Sequence, residues 1–244
     1  MNSNIKKNVS IIMIIIFFIG FLFGSYKILS WKKDNDESKN INDSLKNSID
    51  IETYENEVKY NINFNKLKSI NSDTVGYLIV NNTGINYVVV KGKDNKYYLN
   101  HDFYKNKNEA GWIYTDYRNK VDGSDKNLVV FGHNMSTGIM FGTLKKTQNP
   151  DWYMNKDNRI IKLIVENKTY NYEVFSLYTI RKEAYYINTE FSSDSTYYEF
   201  LKKIQSRSIY DFNVELSKND KIITLSTCNT GGTYRTVLHA KLID

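Results

Sequence analysis

The chain has 244 residues, 41% of them hydrophobic and 25% charged, which excludes wholesale disorder and suits one domain of ordinary size with an added segment. The net charge of +6 comes from scattered lysines with no nucleic-acid motif among them, so it reads as a basic surface facing an anionic neighbour such as a membrane or cell wall. A single cysteine rules out an intramolecular disulfide and argues against a cysteine-based zinc site, while 20 Tyr, 12 Phe and one Pro lean the composition towards β structure.

From Asn8 to Tyr26 no residue is charged, and Val9–Gly24 is almost wholly apolar. Nineteen residues at about 1.5 Å each span roughly 28 Å, close to the hydrocarbon thickness of a bilayer. No small-x-small cleavage site follows cleanly, which favours an uncleaved anchor over a signal peptide. Lysines flank both ends, so charge asymmetry does not set the orientation, and the short N-terminal tail places the large domain outside. Residues 32–60 are polar and read as a partly helical stalk. Phe64, Leu67 and Ile70 then recur every third residue, as in a short packed helix.

From Gly76 onward the pattern changes to short apolar runs bounded by Asn, Asp, Gly or Lys. They are Tyr77–Val80, Asn86–Val90, Gly111–Thr115, Leu128–Phe131, Arg159–Val165, Thr169–Ile180, Lys221–Thr227 and Arg235–Ile243, with a hairpin turn at Glu166–Lys168. Eight such strands suggest a closed barrel or a sandwich, and closure would remove exposed edges. One helix interrupts them between the sixth and seventh strands. Thr196 and Glu199 fit a capping box, and Tyr197, Phe200, Leu201 and Ile204 form a single apolar face.

Cys228 ends the run Lys221–Cys228, at a strand end where a reactive side chain is held rigidly. A cysteine nucleophile needs a base or a cation beside it. Of the three histidines, His133 lies just past the strand Leu128–Phe131, where it runs into a Gly-containing turn, His239 lies inside the last strand and reads as structural, and His101 is ambiguous. Arg235 opens the final strand seven residues after Cys228. The short Gly-bearing loop between them can fold back and leave Cys and Arg on adjacent strand ends, where a guanidinium can bond an oxyanion.

Thr224-Leu-Ser-Thr-Cys228 with Arg235 opening the last strand resembles the sortase signature. Gly132-His-Asn-Met135 followed by Met140-Phe-Gly142 is similar to the class B pattern, as are Asp73–Ile79, Ile85–Gly92, Asp94–Phe103 and Gly111–Asn119. The resemblance covers about residues 60–243, and the helix at 196–206 matches the extra helix of class B members. It implies an eight-stranded sortase barrel, mainly β, with N-terminal helices. Together with the reading of the N-terminal residues, it gives the expected domains as a cytoplasmic tail (1–7), a transmembrane anchor (8–26), an extracellular stalk (27–60) and the catalytic domain (61–244).

The resemblance further implies a cysteine transpeptidase of Gram-positive bacteria, needing no cofactor, that joins exported proteins to the cell wall. Cys228 would attack the Thr carbonyl of a sorting motif. His133 would protonate the leaving amine and deprotonate the incoming one, and Arg235 would hold substrate and oxyanion. A peptidoglycan or lipid-linked precursor amine would resolve the thioester. Asn95, Leu99, Tyr186, Ile187, Ser226 and Thr227 match positions lining the family's substrate groove, with core packing the alternative for the apolar ones. Three departures stand out. Asn229 follows Cys where an acidic residue is frequent, the loop to Arg235 is shorter than in some relatives, and Val88 stands where Pro is usual. The competing readings are a non-catalytic membrane-tethered binding module, a hydrolytic or papain-like cysteine peptidase, and a pilin-polymerising sortase. Papain-like enzymes place Cys at a helix start with His downstream, whereas here Cys follows a strand and His133 precedes it. A pilin-polymerising enzyme needs a lid segment, and none is visible.

Overall fold

A computed structural model describes residues 3–54, 57–228 and 233–243. Helix α1 (Ser3–Lys46) runs unbroken from the apolar segment into the polar one, and a two-stranded hairpin follows, β1 (Ile49–Tyr54) and β2 (Glu57–Ile62). Part of the segment expected to be a stalk therefore lies against the domain. Asn35, Ser38, Ile41, Asn42 and Leu45, spaced three or four apart, are buried. That face is mostly polar, and hydrogen bonds join it to the barrel, Ser38 Oγ to Asn108 Oδ1 (3.2 Å) and Asn42 Nδ2 to the Asn86 carbonyl (3.3 Å). The N-terminal part of α1 is long and apolar enough to cross a membrane, and its large apolar side chains, such as Phe17 and Phe21, are exposed.

Helix α2 (Phe64–Ile70) buries Phe64 and Leu67, while Ile70 is exposed, so only two of the three residues expected to pack do so. The strands β3 (Thr74–Val80), β4 (Ile85–Val90), β5 (Tyr114–Thr115), β6 (Asn127–His133), β7 (Ile160–Val165), β8 (Lys168–Arg181), β9 (Ile222–Cys228) and β10 (Tyr234–Leu242) close into a barrel. Its order is β10-β8-β7-β3-β4-β5-β6-β9, and closure leaves no free edge. These eight strands are the eight expected. β5 is shorter than the expected Gly111–Thr115, because Gly111 takes φ +59° and the Trp112 amide bonds the Tyr98 carbonyl instead of a ladder partner.

A short helix α3 (Pro150–Tyr153) leads into β7, and α4 (Asp194–Ser206) lies between the sixth and seventh barrel strands. Its cap is Ser193, whose Oγ accepts from the Thr196 amide at 3.1 Å, and not Thr196 as the sequence pattern suggested. Thr196 is the third residue inside the helix, where its own amide needs an acceptor. Tyr197, Phe200, Leu201 and Ile204 are buried as expected, each worth about 1.5–3 kcal/mol by transfer out of water.

Candidate active site

β6 and β9 are parallel neighbours in the barrel, and both are buried along their described length, as suits strands covered on both faces. Their register runs from Asn127↔Ile222 to His133↔Cys228, so the last backbone pair of the ladder joins the two residues the sequence singled out. Neighbouring strands lie about 4.8 Å apart. On the other side of β9, β10 runs antiparallel, and its ladder closes at Val237↔Ser226. Arg235 lies two residues before Val237 at the start of β10, where its backbone partner on the other side is Ile180 of β8. At that point the Thr236 amide donates to Thr227 Oγ1 at 2.9 Å, holding the start of β10 to the end of β9. Three strand ends from distant parts of the chain thus meet at one rim of the barrel. The Cys228 side chain, Asn229 and the loop through residue 232 lie outside the described residues.

The His133 ring is buried, and its Nε2 lies 2.7 Å from the Leu99 carbonyl oxygen. A carbonyl only accepts, so Nε2 carries a proton and Nδ1 is the basic nitrogen of the neutral ring. Gly132 permits this placement, because a Cβ there would run into Ile113 Cδ1 and lie 2.7 Å from Phe141 Cγ. The Phe141 amide donates to the His133 carbonyl (2.9 Å), which folds the Met135–Gly142 segment back on the strand end. Arg235 is buried, and one guanidinium nitrogen donates to the Tyr234 carbonyl at 3.2 Å.

The six residues expected to line a substrate groove take different positions. Leu99 holds the His133 ring through its backbone, and its side chain packs against the core. Tyr186 and Ser226 are buried, with their hydroxyls 3.1 Å apart, and the Thr227 hydroxyl serves the Thr236 amide. Asn95 and Ile187 meet through two residues of the Gly111–Asn119 segment, Asp116 and Arg118. The carboxylate of Asp116 is fully buried and accepts from Asn95 Nδ2 (2.8 Å) and from Arg118 Nε and Nη2 (both 2.8 Å). Arg118 Nη2 also donates to the Ile187 carbonyl at 3.1 Å. Burial works against the Asp116 charge, but the bonds from Arg118 and Asn95 outweigh it and hold the carboxyl below its ordinary value. The signal in the sequence is the Asp-x-Arg spacing, which lets a bidentate guanidinium turn back on a carboxylate two residues earlier.

His239 is fully buried between Tyr178 and Thr224. The Thr224 hydroxyl donates to Asn127 Oδ1 (2.7 Å), so it accepts from His239 Nδ1, and Nε2 accepts from the Tyr178 hydroxyl (both 2.8 Å). Burial pushes its pKa down to about 3, so it stays neutral and structural. His101 stacks on Tyr97 (ring centroids 4.0 Å apart), and its Nδ1 lies 2.8 Å from the Tyr97 carbonyl.

The sequence model of the sortase domain matches residues 78–243. The chain is 35% identical to sortase B of Listeria monocytogenes over 237 residues, covering 91% of this chain and 92% of that one. It is 30% identical to sortase B of Staphylococcus aureus over 241 residues, covering 98% of each. Among solved structures it resembles sortase B of Bacillus anthracis in complex with AAEK1, with a TM-score of 0.76 and 35% identity over 87% of this chain and 99% of that one.

Proposed function

The chain belongs to the sortase family, with class B relatives along almost its whole length, and from that premise we propose that it is a membrane-anchored transpeptidase acting through Cys228, His133 and Arg235. The observation that carries the assignment is the terminal pairing of His133 with Cys228 in the β6–β9 ladder. A thiol and an imidazole on adjacent strand ends form the nucleophile and base of acyl transfer.

In the first half-reaction the Cys228 thiolate attacks the carbonyl carbon of the sorting-motif Thr. A C–S bond forms, the oxygen gains charge that the Arg235 guanidinium stabilises, and collapse breaks the C–N bond. The leaving amine takes its proton from the His133 imidazolium. In the second half, an amine of the cell-wall precursor attacks the thioester, gives a proton to His133, and displaces the thiolate. Water can take the amine's place at lower yield. Arg235 suits the oxyanion role because a planar fork keeps its charge and direction. The apolar part of α1 serves as a single-pass anchor, with the barrel outside the cell.

The test is a product assay on the full chain with a sorting peptide, with and without an amine acceptor. Amide product with the amine, and hydrolysed peptide without it, are expected. Cys228→Ala and His133→Ala should each abolish cleavage, and Arg235→Lys should fail badly. Wild-type rates in Cys228→Ala or His133→Ala would overturn the assignment.

A further inference from the structure

Trp31 of α1 lies five residues beyond Tyr26, the last of the uncharged run, which is about 7.5 Å along the helix. It forms one wall of a cleft of about 570 Å³ whose other walls include Leu99, Asn100, Glu109, Asn134 and Ser136. The cleft adjoins His133 twice over. Asn134 is the next residue in the chain, and the Leu99 carbonyl holds the ring.

Hydrogen bonds accepted by α1 hold Glu109 and the chain next to two other wall residues, Lys107 and Ser136. Asp34 Oδ2 accepts from the Glu109 amide (2.9 Å), the Asp34 carbonyl accepts from Asn108 Nδ2 (3.1 Å), and Asn35 Oδ1 accepts from the Thr137 hydroxyl (2.7 Å). The helix that leaves the apolar run therefore holds the segment after Leu99 and the segment after His133. Glu109 supplies a carboxylate at the cleft, 3.6 Å from Lys27, with both side chains 55% exposed. Such an exposed pair is weak, and an incoming ammonium can take the place of Lys27. Lys107, also at the cleft, offers a cation to an anionic group of the same ligand.

We propose that this cleft binds the second substrate, the amine-bearing peptide of a lipid-linked peptidoglycan precursor. Its ammonium meets Glu109, its peptide packs on Trp31, and its lipid end stays in the bilayer beside α1. Placed there, the amine approaches His133 from the membrane side while the sorting peptide occupies the thioester. The inference rests on the transpeptidase and anchor readings above.

The experiment uses the full chain in lipid nanodiscs with a sorting peptide and two acceptors. One is a soluble stem tripeptide ending in a lysine amine, and the other is the same tripeptide on a lipid-linked disaccharide. First-turnover release of the leaving peptide reports thioester formation, and the ratio of amide to hydrolysed product reports acceptor use. Trp31→Ala and Glu109→Gln should each lower that ratio about tenfold at subsaturating lipid-linked acceptor, with release within twofold of wild type. Glu109→Asp should recover part of the loss. An unchanged ratio would overturn the proposal. So would an equal loss of release and transfer, because the residues would then act only by holding His133. A tenfold loss with the soluble acceptor but none with the lipid-linked one would remove the lipid-bound substrate. If wild type releases no leaving peptide, the reaction itself is refuted, and that result is separate from the acceptor ratio.

Discussion

Replacing Thr227 by Val removes one hydrogen-bond acceptor at nearly constant shape. The Thr227 side chain is buried, and its hydroxyl accepts from the Thr236 amide one step beyond the last β9–β10 ladder pair. Valine leaves that amide buried without this acceptor, at a cost of about 1–3 kcal/mol. For a domain of this size each kcal/mol lowers Tm by about 2–4 °C, so a fall of about 2–12 °C is expected. The same change loosens the start of β10, which carries Arg235. A loss of about 1.4 kcal/mol of oxyanion stabilisation would slow thioester formation about tenfold. Thr227→Ser keeps the acceptor and should restore most of both. Tm by tryptophan fluorescence and first-turnover release of the leaving peptide provide the readouts. Were Thr227 instead a direct contact of the sorting peptide, Val would raise KM and spare the fold. A Tm within 1 °C of wild type together with an unchanged first-turnover rate would refute the reasoning.

Three further outcomes follow from other contacts. The folded-state pKa of His239 is depressed to about 3, so the unfolded chain takes up its proton first as pH falls. The contribution is fully present above about pH 6.5 and is lost towards pH 3, at up to about 1.4 kcal/mol per pH unit. Urea unfolding at pH 7, 6 and 5 should show a shallower slope in His239→Gln, and an identical slope would remove His239 as the cause. Arg118→Lys cannot hold both Asp116 and the Ile187 carbonyl through a fork. It should raise KM for the sorting peptide about fivefold, or about 1 kcal/mol, with a smaller change in kcat, as steady-state kinetics would report. Gly132→Ala drives a methyl group into Ile113 and Phe141 and should cost about 1–3 kcal/mol with loss of thioester formation, checked by thermal unfolding and the release assay.

The barrel strands are legible in the sequence because each buried run is short, β-branched or aromatic and ends at Asn, Asp, Gly or Lys. β6 and β9, which carry His133 and Cys228, are among the clearest for that reason. The parts that escape the sequence depend on polar contacts. The docked face of α1 presents Asn35, Ser38 and Asn42, which read as solvated residues until their partners on the barrel are seen. The β1–β2 hairpin is equally polar and reads as part of a stalk. The α4 cap shifts to Ser193 because two hydroxyl residues within one turn can each serve as a cap, and only the helix start decides between them. At the site, the three strand ends follow from motif and topology. The Asp116–Arg118 clamp and the role of the Leu99 carbonyl require distances, since a backbone oxygen leaves no mark on residue type.

The central claim is that Cys228 becomes acylated at the rim where it pairs with His133. The direct measurement is intact mass spectrometry of the full chain incubated with a sorting peptide and no amine, followed by fragment mapping. A mass increase equal to the acyl fragment, located on Cys228 and lost in Cys228→Ala, is predicted. An adduct on another residue, or cleavage that persists in Cys228→Ala, would contradict the account.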